Sequence, residues 1–436
     1  MSAKPYIKVI IPLVIIQFSI IISAFWMLGD YDVKRFNEWL ISEWMINYQA
    51  GFIRRGMIGN ILHQFNFSDG VIPILYQLVF VFYCVYTLIF LLIYLLSGIQ
   101  KTKILVLALL MPGGIFHMAV GVYFYTRKEI LFLIHFGILC LVYMVLRGSQ
   151  EKNKKVLITI FGLLAIIGGG FLTLVHEPYL FMAYPITLIL CSIIYIENKE
   201  YIFAKFALIS YGLLIPIIFV ICSLNHGDQQ MSQQIWDSYQ LSDRLILAPK
   251  APYTSALSTG ALGWNLAEHL STIYGVFITG TWFYWIFFWL MNGLAIFYIA
   301  SKVDCLPTVS QKMGATRGAI ELGQSTYVAS IIFAYLVSSS MFLIASDYGR
   351  WISCATNLSL FFAFATYKST YIAMVKKYIS ANVSNVIRNL SSMLTTKLVL
   401  VALIIYALIM QMPECCIRGS ELFVPYDKFL YLFINQ

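Results

Sequence analysis

Residues 125–178 read YTRKE, ILFLIHFGILCLVYMVL, RGSQEKNKK, VLITIFGLLAIIGGGFLTLV and HEP in succession: two long apolar runs joined by a short basic loop and flanked by charged clusters. Each run approaches the ~20 residues that an α-helix needs to cross the hydrocarbon of a bilayer. The pattern recurs along the chain, and spans are expected at about 7–28, 72–97, 104–123, 128–147, 156–174, 179–196, 206–223, 277–300, 327–345, 350–367 and 397–412. Composition agrees, with 60% hydrophobic and 11% charged residues, against roughly 25% charged in a soluble domain. A transmembrane barrel would show alternating segments of about ten residues, and no such period runs through the chain. The expected fold class is therefore all-α, a polytopic transmembrane helical bundle of about 11 spans in a single integral membrane domain covering residues 1–436. The first apolar run, after Lys4 and Lys8, is too long for a signal-peptide core and ends without a small-x-small cleavage site, so it reads as an uncleaved span.

Orientation follows from lysine and arginine. With the N-terminus in the cytoplasm, every inside loop is basic: Lys101 and Lys103; Arg147, Lys152, Lys154 and Lys155; Lys199 and Lys205; Lys302, Lys312 and Arg317; and Lys368, Lys376, Lys377, Arg388 and Lys397. The formal charge of +9 is thus accounted for by topology and membrane lipids, and no nucleic-acid partner is expected, because the cations form no single tract. The cysteines show no zinc spacing, and no metal or cofactor is expected. Cys415 and Cys416 are adjacent, and a disulfide between them would be strained.

Three outer segments exceed what a connection requires: 29–71, 224–276 and the tail from 413. In the first, Trp39, Trp44, Phe52, Ile53, Met57, Ile58, Ile61 and Leu62 fit amphipathic helices, serving either as a surface anchor or as the lining of a lateral opening for a lipid. In the second, Trp236, Tyr239, Tyr253 and Trp264 mix with Asp237, Asp243, Asn265 and Glu268, as in a sugar-binding cleft or an ordinary aromatic membrane anchor.

Ionisable residues gather at the outer ends of the spans: Arg54 and Arg55; Arg127, Lys128 and Glu129; His176 and Glu177; Asp347 and Arg350. Arginine on this side runs against the positive-inside tendency and asks for a reason. The structural reason is pairing, Asp347 with Arg350 one helical turn apart and Arg127 with Glu177 or Glu129. The chemical reason is an anionic substrate, since guanidinium grips phosphate bidentately and stays charged. Transfer of a sugar from a lipid pyrophosphate needs positive charge at the leaving group, which arginines supply, and a base for the attacking hydroxyl, for which His176 or Glu177 is the right type.

The segments GFIRRGMIGN (51–60), YTRKE (125–129), HEP (176–178) and SDYGRW (346–351), set in this span layout, resemble O-antigen polymerases of the Wzy type and the related O-antigen ligases. The likeness covers the whole chain as a layout and only these pieces as sequence. It implies a bacterial inner-membrane enzyme that moves an oligosaccharide en bloc from undecaprenyl pyrophosphate to another lipid-linked repeat unit on the periplasmic face. A chain-length regulator protein would be its partner. By that resemblance Arg54, Arg55, Arg127, Lys128 and Arg350 are substrate contacts, His176 or Glu177 the base, and Asp347 an orienting partner. Two other readings stay open. A GT-C glycosyltransferase using a polyprenyl-phosphate sugar would place an acid in the first outer loop, where Asp30 and Asp32 lie. A lipid-linked oligosaccharide flippase would more often carry charges near the bilayer midplane and show repeated halves.

Overall fold

The apolar runs form helices. The computed structural model describes residues 38–65, 71–99, 101–115, 127–239, 282–303, 317–343, 347–367 and 381–410, with residues 262, 271, 274, 275, 278, 369, 371 and 412. The expected first span, Asp30, Asp32, most of 240–276 and the tail from 413 lie outside the described residues. Helices α1 (Glu38–Met45) and α2 (Gly56–Gln64) occupy the first long connection. They are followed by α3 (Val71–Ser97), α4 (Thr102–Leu110), α5 (Ile130–Gly148), α6 (Glu151–Val175), α7 (Tyr179–Glu197) and α8 (Ile202–Leu224). Helix α9 (Gln229–Asp237) belongs to the second long connection, before α10 (Trp282–Lys302), α11 (Arg317–Ser338), α12 (Tyr348–Thr366), α13 (Ala381–Leu394) and α14 (Lys397–Ile409). Among the described residues no strand occurs. Among the described residues seven helices are long and apolar enough to cross a bilayer, and α13 with α14, bent by 71°, makes an eighth if the pair is one span. The chain is an all-α, polytopic membrane bundle.

Helix α12 is its axis. Every residue from Tyr348 to Thr366 is buried, and α3, α5, α7, α10 and α11 pack around it. A helix sheathed in protein need not be as apolar as one facing acyl chains, so α12 carries Ser353, Thr356, Asn357 and Ser359. Small side chains let its neighbours approach closely. On the facing helix a Cβ at Gly137 would stand 2.5 Å from Ile89 and 3.1 Å from Phe361, so glycine is required where α3, α5 and α12 meet.

Residues 104–123, read above as the third span, do not form one continuous helix. Helix α4 ends at Leu110, and MPGG (111–114) turns the chain: Met111, restricted by Pro112, is extended, and Gly113 has a φ of 79°. The Gly113 carbonyl accepts hydrogen bonds from Ser353 Oγ at 3.1 Å and Asn357 Nδ2 at 3.0 Å, while Tyr86 Oη donates to Asn357 Oδ1 at 2.8 Å. Irregular backbone inside a membrane bundle persists where protein satisfies it, and here α12 does so.

The connections hold the amphipathic helices expected of them. Helix α2 buries Gly56, Ile58, Gly59 and Leu62, and α9 buries Ser232 and Ile235 while Gln234 and Asp237 face outward. Helix α1 goes deeper, with every residue from Ile41 to Met45 buried. The two connections clasp each other: Asn47 Nδ2 donates to Ser238 Oγ at 2.9 Å and Tyr239 Oη to the Gly59 carbonyl at 3.1 Å, around an apolar cluster of Ile46, Ile53, Ile235 and Leu262.

Candidate active site

Three long helices start at the same place. Arg127, Lys128 and Glu129 lead into α5, His176, Glu177 and Pro178 lead into α7, and Asp347 immediately precedes α12, which carries Arg350 in its first turn. Their N-terminal ends carry partial positive charge, which favours the carboxylates found there and any further anion. Helix α1 adds Glu43, which is 2% exposed. Tyr179 anchors the start of α7: its Oη donates to His135 Nδ1 at 3.2 Å, and His135 Nε2–H donates to the Leu164 carbonyl at 3.0 Å. That carbonyl begins a π-helical stretch of α6, Leu164–Gly168, whose altered register exposes acceptors an α-helix would hold.

The charges interlock. Arg55 clamps Glu177, its Nε donating to Oε1 at 2.9 Å and Oε2 at 2.8 Å and its Nη2 to Oε1 at 2.7 Å. Arg350 spans two carboxylates, with Nη2 at 2.5 Å from Asp347 Oδ2 and Nη1 at 3.1 Å from Glu129 Oε1, and its Cζ lies 4.0 Å above the Trp351 ring. His176 Nε2 stands 3.2 Å from Glu129 Oε1 and 3.6 Å from Glu43 Oε1, and its Nδ1 is 3.7 Å from Glu177 Oε2. Glu43 is also 3.6 Å from Arg55 Nη1 and 3.6 Å from Arg127 Nη1. Arg127 is 7% exposed, yet its Nε and Nη1 have no hydrogen-bond acceptor among the described residues.

Burial alone would raise the carboxyls, but the cations win. Against burial, Arg350, then His176 and Arg127, hold Glu129 well down; Arg55, His176 and Arg54 do so for Glu177; and His176, Lys128 and Arg127 lower Glu43. All three are carboxylates at neutral pH. Arg55 loses hydration too, yet Glu177 holds its proton more firmly than in a free arginine. Arg127 goes the other way, lowered by burial and then by repulsion from Arg350.

Two of the expected substrate contacts have another occupation. Arg54 donates from Nη2 to the Leu262 carbonyl at 3.0 Å and from its backbone N–H to Asn225 at 3.0 Å, tying the two connections together. Lys128, fully buried, donates from Nζ to the carbonyls of Arg55 at 3.2 Å and Val175 at 3.3 Å. The first of those carbonyls belongs to a left-handed residue, since Arg55 has a φ of 66° and is the one non-glycine with positive φ among the described residues. Burial pushes the Lys128 ammonium down from 10.5 to about 8. The unfolded chain therefore binds this proton more tightly between these values, and stability should rise as pH climbs through that window. Complete relief corresponds to about 3 kcal/mol. In thermal unfolding at pH 7 and pH 10, wild type should gain on Lys128→Met at the higher pH; parallel shifts of the two proteins would contradict this.

The eight residues singled out from sequence, Arg54, Arg55, Arg127, Lys128, His176, Glu177, Asp347 and Arg350, do come together. Glu43 was missed, although a lone acid in the apolar run WLISEWMI (39–46) is the kind of residue that asks for a partner. With it, Arg54, Arg55, Arg127, Lys128 and Arg350 face Glu43, Glu129, Glu177 and Asp347, which leaves a single surplus cation when His176 is neutral. Of the two candidate bases, Glu177 has both oxygens engaged by Arg55, which leaves His176.

A family model described as "Uncharacterised membrane protein Rv1490" matches residues 9–255, and the chain belongs to this family of membrane proteins. The matched stretch contains every residue of the cluster except Asp347 and Arg350. No curated protein and no solved structure matches the chain.

Proposed function

We propose that this protein is a glycosyltransferase of the bacterial inner membrane that lengthens a surface polysaccharide on the periplasmic face, with its N-terminus in the cytoplasm. It joins oligosaccharide repeat units carried on undecaprenyl pyrophosphate, as an O-antigen polymerase does. The observation that supports this reading most is the placement of His176. Ionised Glu129 can only accept, so His176 Nε2 donates to it, and Nδ1, which has no hydrogen-bond partner among the described residues, is the nitrogen that offers a lone pair whenever the imidazole is neutral. A carboxylate fixing one imidazole nitrogen so that the other acts as base is a recurring arrangement for activating a hydroxyl. In the step proposed, the acceptor hydroxyl oxygen bonds to the anomeric carbon as the bond from that carbon to the pyrophosphate oxygen breaks. The hydroxyl proton passes to His176 Nδ1. Arg127 and Arg350, beside one another at two helix N-termini, stabilise the charge that collects on the departing pyrophosphate.

Glu43 favours a second reading. An acid delivered from the first long connection is what a GT-C enzyme using a polyprenyl-phosphate sugar would place there, with Glu43 in the part assigned from sequence to Asp30 or Asp32. Deleting the gene separates the two. A polymerase leaves surface glycan as core plus a single repeat unit, whereas a monosaccharide transferase leaves chains of normal length lacking one sugar. Lipid-linked intermediates held on the cytoplasmic face would overturn both in favour of a flippase.

A further inference from the structure

We propose that the Glu43 carboxylate occupies the seat of a phosphate ligand, and that a phosphomonoester or phosphodiester binds beside Arg127 and His176 by displacing it. The seat is defined by cations. Arg55 Nη1, Arg127 Nη1 and His176 Nε2 each stand 3.6 Å from a Glu43 oxygen, longer than a charge-assisted hydrogen bond. Glu43 Oε2 and Arg127 Nη1, though of opposite charge and both buried, have no hydrogen-bond partner among the described residues. Two buried, opposed charges that approach without bonding are poorly complementary, because each has given up water for an imperfect partner. A phosphate carries more charge and more acceptor oxygens than a carboxylate, and the N-termini of α5, α7 and α12 converge on the same spot.

Neighbouring carboxylates are not interchangeable with Glu43. Glu177 is held by three hydrogen bonds from Arg55, and Asp347 is bonded to Arg350 within the same helical turn. Glu43 is also the carboxylate that reaches the cluster from α1, an element separate from the helices whose N-termini build the seat. It therefore acts as a built-in competitor, keeping a counter-charge 3.6 Å from the guanidinium of Arg127 when the seat is empty. The choice of phosphate as ligand rests on the function proposed above, whereas the displacement itself does not.

Purified full-length protein in detergent, titrated with inorganic phosphate and with pyrophosphate and followed by thermal shift and calorimetry, tests this. Wild type should bind weakly. Glu43→Gln should bind about tenfold more tightly or better, because one repelling unit charge close to the ligand is gone. Glu43→Gln combined with Arg127→Gln should lose the gain. If Glu43→Gln does not accumulate, Glu43→Asp, which retracts the carboxylate by one methylene, should show a smaller gain. Affinity unchanged or reduced in both Glu43 variants overturns the proposal. A gain in phosphate affinity in a protein whose deletion leaves polysaccharide length normal would keep the seat and discard the polymerase.

Discussion

Replacing Arg127 by alanine should abolish chain extension while the protein still inserts and accumulates. Arg127 is a buried guanidinium with open N–H groups, held in place without a strong internal partner, so its removal strands no tightly bonded carboxylate. The loss of one oriented charge at a developing anion typically costs ~2.7–4 kcal/mol, about a hundredfold to a thousandfold in rate. Arg127→Lys should rescue poorly, because a point charge lacks the planar fork. Arg350→Ala should give the same loss of polymer, but its interpretation needs a control, since Arg350 bonds Asp347 and approaches Glu129. A purely structural pair would be harmed less by removing Asp347 and Arg350 together than by removing either alone. Polymer length at matched membrane abundance decides, and near-normal chains in the double variant would eliminate a catalytic role for Arg350.

The largest effect on stability is expected at Arg55. Its three hydrogen bonds to Glu177 join the first long connection to the start of α7. Removing one partner of a buried ion pair costs about 3–5 kcal/mol, because the other remains charged and unpaired. Arg55→Ala should thus lower the unfolding temperature sharply, and Glu177→Gln should do so less, since the amide still accepts from Arg55. Arg55→Ala with Glu177→Leu should recover part of the loss. Thermal unfolding of the purified variants checks this, and additive losses in the double variant would mean that the two side chains do not act as a pair. Under this account Glu177→Gln reduces polymer mainly through stability, in contrast to Arg127→Ala.

What was legible in the sequence follows from what each helix touches. Helices α5, α6 and α8 leave apolar side chains exposed on one side, and the apolar runs of these and of α7 place them within a few residues of the expected bounds. Helix α12 was found through the same hydropathy even though its polar residues, buried against protein, make it the least lipid-like of the set. The break at MPGG was written in Met111-Pro112-Gly113-Gly114, but the partners that stabilise it, Ser353 and Asn357, lie more than 200 residues away. The charged cluster was legible as residue types on one side of the membrane. So was the local pair of Asp347 with Arg350, one helical turn apart, whereas the long-range pairings were not, because Arg350 with Glu129 and Arg55 with Glu177 are set by the packing of distant helices. Glu43, the partner not recognised in the sequence, leaves the cluster with one surplus cation when His176 is neutral.

The central claim is that His176, oriented by Glu129, removes a proton from a sugar hydroxyl beside a pyrophosphate held by arginines. The most direct measurement reconstitutes purified protein in liposomes with lipid-linked repeat units extracted from the deletion strain, and follows chain length on gels for wild type and His176→Asn. The account predicts that wild type converts single units into longer chains and that His176→Asn, folded to the same unfolding temperature within a few degrees, forms none. Elongation by His176→Asn at the wild-type rate, or no elongation by wild type on its own lipid-linked units, would contradict it.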